Sequence, residues 1–324
     1  MKEKEIWNAA NIIKNGGIVA FPTETVYGLG ANALNPFAVA KIFEAKERPS
    51  FDPLIVHIAS IEELKNLTVN PSELVYQVAA KFWPGPLTIV LPKSNIIPDI
   101  VTSGLQTVGI RMPNNDIALE LIKTSGCPIA APSANKFGHL SPVSAYHVKK
   151  QLPNIDAILD GGNSQVGIES TIIAIENNIC TLLRPGRITI QDIENAFPNT
   201  FNFKENNSDI AIAPGLLKSH YSPTKPLYLF DENTIIEPEQ SGLISHQNLY
   251  KQPIFKRQII TSETNNLIEI AANLFSALHI MEDDTSIKHI YIEAVPEVGL
   301  GIAIMDRIKK AVYQYSDSAN HKLS

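Results

Sequence analysis

The sequence predicts an α/β protein of two domains, and three observations carry that prediction. Short apolar runs alternate with amphipathic stretches over roughly the first 200 residues, the pattern of strands and helices packed in layers. At 324 residues the chain is too long for one ordinary core and suggests about two domains. Between residues 201 and 226 the periodicity stops, and a shorter alternation resumes beyond it. With 44% apolar and 19% charged residues the composition is that of a globular protein in water. No apolar run approaches the ~20 residues of a membrane span.

The first domain is expected over residues 1–200. Its opening segment, MKEKEIWNAANIIKNGG, reads as an amphipathic helix with Ile6, Ala10 and Ile13 on one side. It lacks the apolar core and cleavage site of a secretory leader, so a cytoplasmic location is the expectation. Residues 18–21 form a short buried strand that Pro22 ends, having no N–H to give. The stretch FPTETVYGLG then brings hydroxyls and one acid, closed by Gly28 and Gly30, read as a polar turn at a strand end where an open sheet presents ligands. Asn35-Pro36 is an N-cap followed by proline at the first helical position, opening a helix over 36–46. A strand over 54–58 precedes the capping box of Ser60 and Glu63, then a helix over 71–82. Strands follow at 87–91 and 107–111, a helix at 115–124, a short extended run at 128–131 and a helix from Ser141-Pro142 to about 152. Strands at 157–159, 171–175 and 180–183 lead to a last helix capped by Thr189.

Residues 201–226 read as a linker, since their Asn, Ser, Gly and Pro sustain no period. Leu216, Leu217 and Tyr221 within it suggest a docking lid over the first domain's site. The second domain, 227–324, is expected as β-α-β-α-β-α with helices at 240–250, 263–279 and 302–314, hence a small Rossmann-like parallel sheet. It has no Gly-rich phosphate fingerprint.

The chemistry therefore falls to the first domain. Cys127 and Cys180 have no partner at metal spacing, and a net charge of −6 argues against broad binding to nucleic acid. Thr23, Thr25, Lys46, Arg48, His57, Thr107, Arg111, Ser133, Asn135, Ser141, Ser170, Arg184 and Arg187 all sit near strand ends. Arginines there, in an acidic protein, suit an anion pocket, because the guanidinium fork binds oxyanions bidentately. As strand-end cations they are expected to be partly exposed and to contribute little to folding. No Ser-His-Asp order, HExxH, Walker sequence or zinc spacing is present.

Seven segments in one order, FPTETVYGLG, KERP…PLIVH, WPGPLTIVL, VGIRMP, APSAN…LSP, GIESTII and LLRPGRI, resemble the YrdC-type threonylcarbamoyl-AMP synthase family over about residues 8–195. Ser219-His220-Tyr221-Ser222-Pro223 and the α/β tail are similar to its longer, two-domain members. The resemblance implies a YrdC-like twisted open sheet and a nucleotidyltransferase. Such an enzyme joins L-threonine, bicarbonate (or CO₂) and ATP, with Mg²⁺, into L-threonylcarbamoyl-AMP and pyrophosphate, a product passed on to tRNA threonylcarbamoyl transfer. It implies a threonine site of Thr25, His57, Arg111, Ala131 and Ser170. The implied ATP site is Arg48, Asp52, Thr107, Ser133, Ser141, Arg184 and Tyr221, with Lys46 and Asn135 close by. Lys46, Arg48 and His57 would carry the catalysis, His57 as proton acceptor or positioning group, and no protein side chain is expected to hold a metal. Asp52 departs from the Asn common there and is expected to meet ribose, adenine or magnesium. Two rival readings are an RNA-binding module without turnover, which leaves weak tRNA binding open, and a carbamoyl-adenylate transferase.

Overall fold

The computed structural model describes residues 3–205, 220–231, 237–251 and 254–320. Most of the expected lid, including Leu216 and Leu217, lies outside them. The chain divides into two compact units.

The first unit holds α1 (Glu3–Lys14), β1 (Val19–Phe21), β2 (Gly28–Asn32), α2 (Pro36–Lys46), β3 (Ile55–His57), α3 (Leu64–Leu67), α4 (Glu73–Phe82) and β4 (Leu87–Pro92). It continues with α5 (Asp99–Thr102), β5 (Thr107–Arg111), α6 (Asp116–Ser125), β6 (Ile129–Ala130), α7 (Ala145–Gln151), β7 (Ala157–Ile158), β8 (Thr171–Glu176), β9 (Ile179–Arg184), α8 (Ile190–Ala196) and β10 (Asn202–Glu205). The strands make one mixed sheet in the order β10-β9-β8-β4-β5-β3-β6-β2-β1-β7. β10 pairs in parallel with β9, so this sheet runs past residue 200 into the span expected to be linker.

Two features differ from the sequence reading. Gly28 and Gly30 do not close a turn; they begin β2, which pairs antiparallel with β1, and FPTETVYGLG is a hairpin. Glycine is needed there for close approach: a Cβ on Gly30 would stand 2.6 Å from the Ile129 side chain and 2.7 Å from the Phe21 ring. In the second unit the helix expected over 240–250 is replaced by a strand.

That unit contains β11 (Leu227–Leu229), β12 (Ser241–Ser245), β13 (Arg257–Ile260), α9 (Leu267–Asp283), β14 (His289–Ile292) and α10 (Leu300–Asn320). All four strands are parallel, in the order β11-β14-β12-β13. Every residue of β12 is buried, and a short apolar run that is buried all round has no period by which to tell strand from helix. The stretches Gly138–Ser141 and Val166–Ile168 group with this unit. His139 bridges Ser222, and the Ser222 N–H donates to the Gly138 carbonyl at 2.8 Å.

The first sheet's two faces differ in character. Along β5, Val108 and Ile110 enter the main core with Leu87, Ile89, Ile173 and Trp83. By strand alternation Thr107, Gly109 and Arg111 share the other face. Gly109 there lies between Thr88 and Ile55, beside a small apolar cluster of Ile55, Val90, Ile172 and Leu183.

Candidate active site

The hairpin loop between β1 and β2 folds on its own hydroxyls. The Thr23 hydroxyl donates to the Val26 carbonyl at 2.6 Å, accepts from the Thr25 and Val26 N–H groups, and lies 2.8 Å from the Thr25 hydroxyl. Such side-chain to backbone bonds are how threonine fixes a turn. Tyr27 anchors the loop's end: its hydroxyl donates to the Gly162 carbonyl at 2.7 Å and accepts from the Gly161 N–H. Burial pushes the Tyr27 phenol up to about 12.

The fixed loop delivers Glu24 to Arg111. The carboxylate Oε1 lies 2.7 Å from an Arg111 terminal nitrogen, and both side chains are buried. Arg111 also donates from Nε to the Gly85 carbonyl at 3.3 Å. Parallel pairing of β3 with β5 sets His57 opposite Arg111, and the Phe21 ring meets His57 edge-on at 6.0 Å. Ser170, just before β8, shares a 2.8 Å hydroxyl contact with Thr88. The Ala131 N–H donates to the Ile55 carbonyl, beside the β3 strand. Four of the proposed threonine residues, His57, Arg111, Ala131 and Ser170, are thus brought to one end of the sheet, with Thr25 in the loop beside Glu24.

The cations come from the end of α2. Glu47 takes a left-handed conformation at φ 54°, closing the helix with bonds from Glu47 N–H to Glu44 and from Arg48 N–H to Phe43. This is a helix C-cap made without glycine. Lys46 and Arg48 therefore leave the helix end in different directions. The Lys46 ammonium donates to the carbonyls of Ser133 and Asn135 at 2.7 and 2.5 Å. Arg48 pairs with the Asp52 carboxylate at 2.9 Å and donates to the Asp52 and Pro53 carbonyls. Arg184 donates to the carbonyl and hydroxyl of Ser170. Burial, then the Arg48 charge, holds Lys46 well below the usual ammonium range. Burial raises the Asp52 carboxyl, opposed by Arg48, Lys46 and Arg184.

Several expectations change here. Arg48 and Arg184 are not partly exposed; they are 8% and 4% accessible and hydrogen-bonded to neighbours. Asp52 pairs with Arg48 at 2.9 Å, a partner the sequence reading did not give it. The described residues contain no group of three His, Cys, Asp or Glu placed for a metal. Thr107 lies on the same face as Arg111 but four residues away, roughly 13 Å along the strand, paired with Pro92 at the opposite end of the sheet. It could meet only an elongated ligand lying along that face. Ser141 and Tyr221 belong to the second unit. There His279 contacts the Ser141 carbonyl at 3.1 Å, and Tyr221 is buried between Phe275 and the Arg307 guanidinium. Glu24 was missed among the site candidates, although its place between Thr23 and Thr25 was visible in the sequence.

His57 is also redefined. Burial, with Arg111 beside it, pushes its imidazole down to about 3. It is therefore neutral near pH 7, and as a base it is too weak to strip an ammonium. A depressed pKa means that acid favours the unfolded state, where histidine protonates near 6.5. Stability carried by His57 is fully present above pH 6.5 and lost as pH falls from there toward 3. Acidification from pH 7 to 5 should cost the wild type about 2 kcal/mol more than His57→Gln in urea titrations. Equal losses would mean that His57 titrates normally in the fold.

Comparison with known proteins is consistent with this architecture along its whole length. A family model described as "Telomere recombination", covering the Sua5, YciO and YrdC group, matches residues 11–186. One described as "Threonylcarbamoyl-AMP synthase, C-terminal domain" matches residues 188–312. The chain is 42% identical to the threonylcarbamoyl-AMP synthase of Pyrococcus abyssi, over 96% of this chain and 95% of that protein. It is 41% identical to that of Bacillus subtilis, over 95% and 93%. The solved structure of P. abyssi Sua5 complexed with L-threonine superposes with a TM-score of 0.86 at 41% identity, covering 97% of this chain and 95% of that one. The chain belongs to the threonylcarbamoyl-AMP synthase family of nucleotidyltransferases, in its two-domain form.

Proposed function

We propose that this protein condenses L-threonine, bicarbonate or CO₂, and ATP into L-threonylcarbamoyl-AMP and pyrophosphate, in the cytoplasm, for transfer onto tRNA. The observation that carries the proposal is a buried pairing of two different sites. A buried polar cluster around Arg111, His57 and Ser170 adjoins a basic group of Lys46, Arg48 and Arg184, all three of which act on the Asp52 carboxylate.

The chain's residues suit each step. Arg111 offers the fork that takes an α-carboxylate, and the Thr25 and Ser170 hydroxyls can read the substrate's own hydroxyl. Neutral His57 orients without competing for charge. The amine adds to CO₂, forming the N–C bond with loss of a proton, and a carbamate oxygen then displaces pyrophosphate from the α-phosphorus. Lys46, Arg48 and Arg184 stabilise the negative charge that builds on the phosphate oxygens, supplementing the magnesium that travels with ATP. No covalent enzyme intermediate is needed, and positioning with electrostatics supplies the catalysis.

A pyrophosphate-release assay tests this. Release should require ATP, threonine and bicarbonate together. Equal release without threonine removes the synthase reading, and release supported by carbamoyl phosphate in place of threonine and bicarbonate favours a carbamoyl-adenylate transferase. Salt-sensitive tRNA binding with no turnover favours an RNA-binding module.

A further inference from the structure

Glu24 is a buried carboxylate to which the proposed chemistry has so far given no task. Its Oε1 is 2.7 Å from Arg111, and neither of its oxygens takes a hydrogen bond from any described residue. A carboxylate can accept about four, and leaving that capacity unused in a buried site is costly. The loop that carries it is rigidly tied by Thr23, so its place beside Arg111 is built in. On the neighbouring strand, His57 Nδ1 likewise takes no hydrogen bond from a described residue.

An α-amino acid arrives as a zwitterion. Arg111 can neutralise its carboxylate, but the ammonium, once out of water, also needs an opposite charge. His57 is uncharged and cannot supply one. The hydroxyls of Thr23 and Thr25 are turned toward each other, and Asp52 sits beside Arg48 past the end of α2, not beside Arg111. Glu24 stands 2.7 Å from the cation proposed to grip the carboxylate, so one α-amino acid can present its two charges to the pair.

We propose that Glu24 is the ammonium anchor of the amino-acid site: it pairs with the α-ammonium while Arg111 pairs with the α-carboxylate, which makes the site specific for α-amino acids. In the free protein Glu24 and Arg111 neutralise each other's charge, while the carboxylate's hydrogen-bonding capacity stays open. On binding, the zwitterion joins them in an alternating four-charge array, and the buried site stays electroneutral. The inference rests on the synthase reading and adds a specificity determinant to it.

Calorimetry on the full chain tests it with two ligands, L-threonine and 3-hydroxybutyrate, which is threonine without its amino group. Wild type should bind threonine at least roughly tenfold more tightly than 3-hydroxybutyrate. Glu24→Gln should lower threonine affinity on the order of 10- to 100-fold, the scale of a charged hydrogen bond, and bring the two ligands within several-fold of each other. Wild type that binds the two ligands equally overturns the inference without recourse to any variant. A Glu24→Gln protein that keeps the threonine preference overturns it as well, even if its thermal midpoint falls, because a merely structural glutamate would not set ligand selectivity. Wild type that binds neither ligand overturns the synthase reading and this inference with it.

Discussion

Arg48→Ala should lower the unfolding free energy by about 3–5 kcal/mol, the cost of leaving a buried charge without its partner, and should also abolish ATP binding. The size follows from what Arg48 touches. Its guanidinium neutralises Asp52 at 2.9 Å and satisfies two backbone carbonyls, while its central carbon lies 5.9 Å from the centre of the Phe137 ring. Asp52 is 1% accessible and already raised by burial, so without Arg48 it can be ionised only at high cost. The sign of the pH dependence is then fixed. A carboxyl raised in the fold loses stability as pH rises, so the variant's deficit should be largest near pH 8 and shrink toward pH 4, as a proton neutralises Asp52. Arg48→Ala combined with Asp52→Ala should regain much of the stability without regaining ATP affinity. Urea titrations and calorimetry separate the two effects. A variant that melts with wild type would mean that the pair is solvated in solution, as the sequence alone had suggested for strand-end cations.

Arg111 should give the second large effect, split between folding and binding. Arg111→Leu strands Glu24 as Arg48→Ala strands Asp52, and a loss of about 3–5 kcal/mol is expected, together with loss of threonine binding. Adding Glu24→Gln should restore most of the stability, because a neutral amide tolerates burial better than a lone carboxylate. Threonine binding should not return. Arg111→Lys is the finer probe: it keeps the charge but loses the planar fork, and threonine affinity should fall by about 1.5–3 kcal/mol while ATP affinity holds. If the double variant binds threonine normally, Arg111 is a framework residue and the carboxylate is held elsewhere.

Much of this site was legible in the chain. Asn35-Pro36 announced α2, and the Asn35 side chain does cap it, accepting from Phe37 and Ala38. Glu63 likewise closes back on Ser60 as the capping box requires. The residues that converge, His57, Arg111, Ser133, Ser170 and Arg184, could be picked out because each sits where an apolar run stops, at an end that a sheet can gather, whereas Ala131 was named only by the family resemblance. Lys46 and Arg48 could be picked out because they follow the helix that Asn35 starts.

What could not be read was anything that depends on which ends meet. Ser241–Ser245 looked like helix because five residues buried on all sides carry no period, and only pairing with β13 and β14 makes them a strand. Gly28 and Gly30 looked like a turn because nothing local records the Phe21 and Ile129 side chains above them. The sequence by itself determined the two-domain α/β class, the helix starts, and the set of polar residues placed at strand ends, since these follow from hydrogen-bonding and burial patterns within a few residues. Only the tertiary structure decided that Glu24 faces Arg111, that Asp52 answers Arg48, that Thr107 stands at the far end of the sheet and that His57 is neutral. Charge pairing and desolvation depend on the neighbours that strand order brings together, and those neighbours are distant in the chain.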